Sequence, residues 1–439
     1  MSPRVLCVKD CDLVSAFTAP TTSVITRTDQ DFREHPLNNS FPTLVPAHDQ
    51  QDQTFSSAFS ILEEAISARA FPAVSTAVTA HGRLVALKSF GHFTYETDSS
   101  LVTPATLFDL ASLTKPVATT PMAMNLYERG LLELEAPVVG VVPEFMADAC
   151  EVPDARRRDI TFRMLLAHSS GLPAYEKLFL KAHSREDLLR AAFTTSLSTD
   201  PGTRAEYSDI GFILLGTALE RIAGESLDIF CQREIFGPLA MTHTTFNPQA
   251  ATRAQIPPTA DERLIQTEEC GADTPVRQMP ELLRTPTINP LPSRSTFRKR
   301  IIQGKVQDEN ASILGGVAGH AGLFSTAEDL ARFAHSMLHG GRPILRPETV
   351  ALFTHRESAP AGTSRTLGWD TPSSPSQAGK YFGPRSFGHL GYTGTSLWID
   401  PDRQLSITLL TNRTWPDCTN QAIKQVRPEF HDAVIEAIG

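Results

Sequence analysis

The stretch Phe108-Asp109-Leu110-Ala111-Ser112-Leu113-Thr114-Lys115-Pro116 sets a serine three residues before a lysine, between an apolar lead-in and a run with helical spacing. Residues three apart on a helix share a face, so the Ser112 hydroxyl and the Lys115 amine fall within reach of one another. A serine hydroxyl is a weak nucleophile until a nearby base takes its proton. A lysine does that only where burial or another cation keeps it neutral. Serine and lysine are common residues, and the same pattern describes a helix start with a solvated lysine. The spacing gains meaning only if the chain supplies partners for Ser112.

Outward from Ser112, apolar residues continue at helical spacing through Met122, Met124, Leu126 and Tyr127 to a C-capping Gly130. Pro116 falls in the first turn, where proline is tolerated, and Pro121 predicts a kink. Residues 1–53 are polar and predict a poorly ordered leader, or a start codon placed too early. Ala58 to Ile66 has helical spacing and is followed by a hairpin, Val74 to Ala80 and Arg83 to Phe90, turning at His81-Gly82. Four helices are predicted at Ile160–His168, Arg185–Ala192, Ile210–Ala223 and Leu227–Ile235. The stretch 250–298 is rich in Pro, Thr and Arg without periodicity, and predicts a surface insertion. Thr326 caps a helix over Ala327–Leu338. A second hairpin, Thr395–Asp400 and Gln404–Thr411, precedes an amphipathic helix from about Asn420 to Ile438. This order predicts an α+β fold over residues 54–439. One sheet is drawn from about 54–108 and 312–439, and a mostly helical part spans about 109–311.

At 439 residues and 41% hydrophobic content, the chain can bury a large core. A net charge of −9 excludes nucleic acid and anionic membrane as main partners. No apolar run approaches the roughly 20 residues that span a bilayer. The first residues do not read as a signal peptide, which favours a cytoplasmic location. Six scattered cysteines predict free thiols, and the spacing of His168, His320 and His389 resembles no zinc signature, so neither metal nor cofactor is expected.

Partners for Ser112 occur downstream. Pro201-Gly202-Thr203-Arg204-Ala205-Glu206-Tyr207-Ser208-Asp209 is a turn leading to a tyrosine just before a helix. Phe387-Gly388-His389-Leu390-Gly391-Tyr392-Thr393-Gly394-Thr395 is glycine-dense, which allows the close backbone approach that an oxyanion-binding N–H requires. With these motifs in this order, the sequence resembles the serine β-lactamase and penicillin-binding-protein superfamily, most closely its class C-like esterase and D-aminopeptidase branch. The resemblance covers roughly Phe55 to Gly439. It also takes in Leu166-Ala167-His168-Ser169-Ser170-Gly171-Leu172-Pro173 and the run from Gly315 to Phe324.

The resemblance implies an antiparallel sheet flanked by the terminal helices, beside a helical domain, with the active site in the cleft between them. It implies a serine hydrolase working through an acyl-enzyme on Ser112. Lys115 and Tyr207 would share the proton work, with the division between them open. Backbone N–H groups of Ser112 and Tyr392 would bind the oxyanion, and Asp209, His389 and Gly391 would contact substrate. Many relatives carry Lys-Thr-Gly where this chain has His389-Leu390-Gly391. A histidine near its ordinary pKa of about 6.5 is only partly charged at neutral pH. Leucine removes a hydroxyl donor. Both changes point away from an anionic β-lactam and toward small neutral ester, amide or lactone substrates. β-Lactamase, D-Ala-D-Ala carboxypeptidase or D-aminopeptidase activity is the alternative. A slowly deacylating penicillin-binding or sensor protein is the alternative of another class. The oligomeric state is not encoded in any feature of the sequence.

Overall fold

In the computed structural model, which describes residues 43–146, 154–260 and 301–439, strands from both ends of the chain share one sheet. Its order is β1 (Val45–Pro46), β3 (Arg83–Gly91), β2 (Ala73–Ala80), β11 (Leu405–Thr411), β10 (Ser396–Asp400) and β9 (Phe387–Leu390). Neighbours are antiparallel, apart from β1, which lies parallel to β3. Side chains alternate between faces with the period of two that a strand imposes. Val74, Val78, Trp398, Ile407 and Leu409 join the core beneath helices Ser56–Ser67 and Ile423–Ile438, against Phe59, Leu62, Phe430 and Val434. Ala73, Ala77, Leu397, Ile399 and Leu410 belong to a second core. It includes helix Ala327–Leu338 and runs on into the helical region around Phe212 and Leu215. Each large apolar side chain so buried contributes roughly 1.5–3 kcal/mol, and both faces of the sheet are filled.

A three-stranded sheet of β4 (Phe108–Asp109), β8 (Leu323–Ser325) and β5 (Thr245–Phe246) leads into the Ser112 segment. Strands β6 (Thr259–Ala260) and β7 (Ile301–Ile302) form a third pair. The α+β arrangement is the expected one, and four of its details differ from the sequence reading. Order begins before residue 54. Strand β1 pairs with β3, the Gln51 side chain accepts from Leu87 N–H at 2.9 Å, and Asp52 pairs with Lys88 at 2.8 Å. These are hydrogen-bonding roles, which leave no hydrophobic pattern to read. The rest of the expected leader lies outside the described residues. At the start of the expected insertion, residues 250–260 fold back, since Thr259–Ala260 pairs with Ile301–Ile302; the remainder again lies outside the described residues.

The run after Ser112 is not one helix. A 3₁₀ turn (Ala111–Leu113) passes into a π-type turn (Lys115–Thr119), and the regular helix spans Thr120–Glu128. Pro116 and Pro121 lack the N–H groups that would bond the carbonyls four residues earlier. The ladder slips one residue, and Thr120 N–H bonds Lys115 O instead. The helix expected at 160–168 is shortened to Phe162–Leu166, because His168 takes a left-handed φ of 55°. Cys231 is a buried free thiol, and Cys418 is also buried. Among the described residues, no helix is long and apolar enough to cross a membrane.

Candidate active site

Ser112 is delivered by a strained turn. Ala111 holds a φ of 47°, a conformation that costs a non-glycine residue on the order of 1 kcal/mol or more. The buried Asp109 carboxylate fixes that turn by accepting from Ala111 N–H at 2.8 Å and from Gln307 N–H at 2.7 Å. Burial raises its pKa to about 6. Thr114 adds a second pin, its hydroxyl donating to Ala111 O at 2.7 Å and accepting from Leu323 N–H at 3.1 Å.

Around Ser112 the three sequence motifs converge. Lys115 is fully buried, and its Nζ lies 3.1 Å from Ser112 Oγ, 2.6 Å from Asp209 Oδ1 and 3.0 Å from the His320 carbonyl. Three acceptors match the three protons of an ammonium group. Tyr207 Oη stands 2.7 Å from Ser112 Oγ and 3.0 Å from the same Asp209 oxygen. The Lys115 ammonium also sits 4.8 Å from the centre of the Tyr207 ring. Burial lowers the Lys115 pKa and Asp209 opposes that shift. Burial and the Asp209 charge hold the Tyr207 phenol well above its ordinary value, so it keeps its proton.

The turn before helix Asp209–Ala223 places Tyr207 and Asp209. Ser208 caps the helix, its side chain accepting from Gly211 N–H at 3.0 Å, and its own N–H donates to His168 Nδ1 at 3.0 Å. The His168 ring packs against Tyr207 at 4.7 Å between centres. His168 therefore positions the tyrosine, consistent with a neutral ring whose pKa burial holds well below 6.5.

On the opposite wall, Thr393 Oγ1 donates to Asp109 O at 2.7 Å and Thr395 Oγ1 to Leu110 O at 3.0 Å. These bonds tie the segment carrying Gly391 and Tyr392 to the backbone just ahead of Ser112. Gly391 is required there, because a Cβ would lie 2.5 Å from Leu110 O and 1.9 Å from Thr395 Oγ1. The backbones of Ser112 and Tyr392 thus border the same cleft of about 530 Å³.

His389 is in that cleft too, but it is not a partly charged group. It is buried, and its Nδ1–H donates to Leu390 O at 2.7 Å. Burial, with Lys115 and Arg365 as like-charged neighbours, holds its pKa well below 6.5. The expectation of partial charge at neutral pH is corrected accordingly, and acid near pH 6 does not charge it.

Several cleft residues carry no motif of their own. His320 reaches Lys115 through its carbonyl and pairs its ring with Asp308 at 2.8 Å. The loop carrying it comes close because Gly319 packs on Gly216, with only 2.8 Å of room for a Cβ at Gly216. Arg365, held by Asp370 at 3.4 Å, lies 5.5 Å over the Tyr207 ring. The run from Gly315 to Phe324 was a sequence signal for the first of these. Nothing in the irregular stretch around Arg365 signals the second.

The beta-lactamase family pattern matches residues 59–426, most of the chain. The chain belongs to the beta-lactamase family. Over 422 residues it is 31% identical to an N-acetylmuramyl-L-alanine amidase of Bacillus subtilis strain 168, covering 90% of each chain. Over 366 residues it is 30% identical to a protein of Escherichia coli K12 provisionally named a D-alanyl-D-alanine carboxypeptidase, covering 78% of this chain and 79% of that one. Among solved structures, the hydrolase EstCE1, described as having promiscuous acyltransferase activity, superposes with a TM-score of 0.64 at 22% identity, over 88% of this chain and 99% of that one. A class C beta lactamase of Rhodobacter sphaeroides gives 0.60 at 20%, over 87% and 99%. This beta-lactamase-family protein is accordingly a serine hydrolase.

Its buried imidazoles make stability depend on pH. His168 and His389 are held well below 6.5, and burial brings His431 down to about 3. Below pH 6.5 the unfolded chain binds protons at these sites that the native state refuses, so stability is full above that pH and falls as pH drops. Asp109, raised to about 6, works in the opposite sense between about 4 and 6, and burial raises Asp329 in the same direction. Three groups outweigh two, and the urea midpoint is expected to fall steadily from pH 7 to pH 5. A flat profile in that range would show that these rings are protonated in the native state.

Proposed function

We propose that the protein cleaves a small amide substrate through an acyl-enzyme on Ser112, with activated esters turned over as surrogates. The observation that carries this reading is the single contact set joining Ser112 Oγ, Lys115 Nζ, Tyr207 Oη and Asp209 Oδ1. Lys115, its pKa lowered by burial, takes the Ser112 proton in its amine form as Oγ attacks the carbonyl. The oxyanion is received by the N–H groups of Ser112 and Tyr392. Tyr207 keeps its proton at rest and passes it to the leaving nitrogen. It is then reprotonated by Lys115, and water enters by the same route in reverse.

Protonating a leaving amine is the task for which an amide needs a held proton, and an activated ester does not. The amidase and carboxypeptidase names of the relatives agree with this choice. The reading is tested by incubating the protein with a fluorophosphonate and mapping the adduct by peptide mass spectrometry. The modified residue is expected to be Ser112, and Ser112→Ala is expected to abolish both labelling and turnover of p-nitrophenyl acetate and D-aminoacyl amides. Labelling that survives in Ser112→Ala would place the nucleophile elsewhere.

A further inference from the structure

The segment from Arg365 to Asp370 turns back on itself at the edge of the catalytic cleft. Leu367 and Trp369 anchor it, both fully buried, with Trp369 stacked on Phe333 and set edge-on to Phe387. Between them Gly368 holds a φ of 89° against Thr120, whose hydroxyl a Cβ would meet at 2.0 Å. Asp370 exchanges both backbone hydrogen bonds with Gly388, at 2.8 and 2.9 Å, which registers the turn on β9 beside His389. Arg365 is therefore set in the cleft by its backbone and not by its own charge pair. That pair is loose. Asp370 Oδ2 stands 3.4 Å from Arg365 Nη1, longer than the roughly 2.7–2.9 Å of a close charge-assisted bond. The other Asp370 oxygen accepts from Ser364 Oγ at 2.6 Å and from Thr371 N–H at 3.0 Å. The guanidinium charge is thus only partly neutralised.

Its carbon lies 5.5 Å from the centre of the Tyr207 ring, and Lys115 Nζ lies 4.8 Å from the same centre. Among the described residues, these are the cations set over that ring. The other groups facing the pair are the carboxylates of Asp209 and Asp308 and the rings of His168 and His389. His320 adds only its carbonyl. Both imidazoles are neutral, their pKa values held well below 6.5. Asp209 and Asp308 favour the Lys115 ammonium, and Asp209 favours the Tyr207 phenol. Acyl transfer needs the opposite forms. Lys115 must be an amine as Ser112 attacks. Tyr207 Oη must carry negative charge as its proton passes to the leaving nitrogen, whose bond to the acyl carbon breaks, until the Lys115 ammonium returns a proton. Burial favours the amine on Lys115 but opposes the anion on Tyr207. Arg365 acts in the required sense on both, and a guanidinium keeps its charge at every working pH.

We propose that Arg365 is a positioning residue for these proton transfers: its guanidinium, set over the Tyr207 ring, favours the amine form of Lys115 during attack and the transient phenolate of Tyr207 during departure of the leaving group. It touches the reaction only through those two side chains. This inference rests on the acyl-enzyme reading of the same cleft.

The test compares wild type with Arg365→Gln, which removes the charge, Arg365→Lys, which keeps it, and Asp370→Asn, which unmasks it. Lys115 is followed by NMR titration in protein carrying 13C at lysine Cε, its signal identified by its loss in Lys115→Met. In Arg365→Gln the Lys115 midpoint, and with it the acid limb of kcat/KM on p-nitrophenyl acetate, is expected to rise by about half a pH unit. In Asp370→Asn both should fall, and Arg365→Lys should stay near wild type. Above the acid limb, turnover of D-alanyl p-nitroanilide relative to the ester should drop about three- to tenfold in Arg365→Gln, because only the amide needs the Tyr207 proton. A purely structural role would slow ester and amide alike and leave the midpoint in place. A midpoint unchanged in Arg365→Gln, or an unchanged amide-to-ester ratio, overturns the proposal. If Arg365→Gln does not fold, Asp370→Asn decides, and a midpoint there that is unchanged or raised overturns it. If Ser112→Ala hydrolyses the ester as fast as wild type, the acyl-enzyme reading fails, and the NMR midpoints, which need no turnover, judge Arg365 alone.

Discussion

Lys115→Met is expected to lose activity on every substrate by on the order of 10²–10⁴-fold in kcat, the range for a positioned proton-transfer group. The loss in stability should be comparable in importance. Methionine fills much of the lysine volume but leaves the Asp209 carboxylate, 15% exposed, facing a site with no cation. Removing one member of a buried pair in this way costs about 3–5 kcal/mol. The double variant Lys115→Met with Asp209→Asn removes the orphaned charge, so it should recover much of the stability and none of the activity. Kinetics and urea denaturation on the two variants separate these effects. A Lys115→Met protein that keeps wild-type kcat would show that Tyr207 acts on Ser112 alone. A double variant no more stable than the single would show that the Lys115–Asp209 contact is not the source of the loss.

Gly391→Ala carries the second large effect. The added Cβ meets Leu110 O at 2.5 Å and the Thr395 hydroxyl at 1.9 Å. The backbone is fixed on one side by Thr393 and Thr395 and on the other by Ser112's own turn. Something must move, and the movable part is the segment carrying Tyr392. Displacing one oxyanion donor costs about 10²–10³-fold in kcat. Acylation of Ser112 by a fluorophosphonate should slow in parallel, because its phosphoryl oxygen uses the same donors. Near-normal rates in Gly391→Ala would assign the oxyanion contacts to other N–H groups.

The parts of this site legible in the sequence are those where chemistry and chain spacing coincide. Ser112 and Lys115 lie three apart, and Tyr207 and Asp209 flank a helix cap, so short-range pattern announces them. The supporting groups are legible only in three dimensions. His320 contributes a backbone carbonyl, which any residue type could supply. Arg365 sits in an irregular stretch whose pairing with Asp370 depends on a bend. Arg427 reads as one more helix cation until its burial against neutral oxygens, Gln377 Oε1 and Thr395 O, is visible. The fold followed the same division. The two hairpins and the helix Ala327–Leu338 were written in periodicity and caps. The β1 edge strand is held by backbone pairing, and the slipped helical ladder after Ser112 by missing N–H groups at prolines. Neither alters the hydrophobic pattern.

The pairing of β2 with β11 has a consequence for how the protein is made. Across that pairing the Thr76 hydroxyl donates to Thr408 O at 2.7 Å, and these two residues are separated by 332 positions, with the helical region between them. Contacts across so long a loop form late, because the entropy of closing it must be met before the pairing returns anything. The hairpin of β2 and β3 leaves the ribosome first and waits with one edge open, while the segment carrying Tyr392 is among the last to be synthesised. A nascent chain therefore holds its nucleophile long before it holds an oxyanion site. Hydrolytic activity should switch on in one step, as the final strands dock, and the open β2 edge is where a holding chaperone has its opportunity.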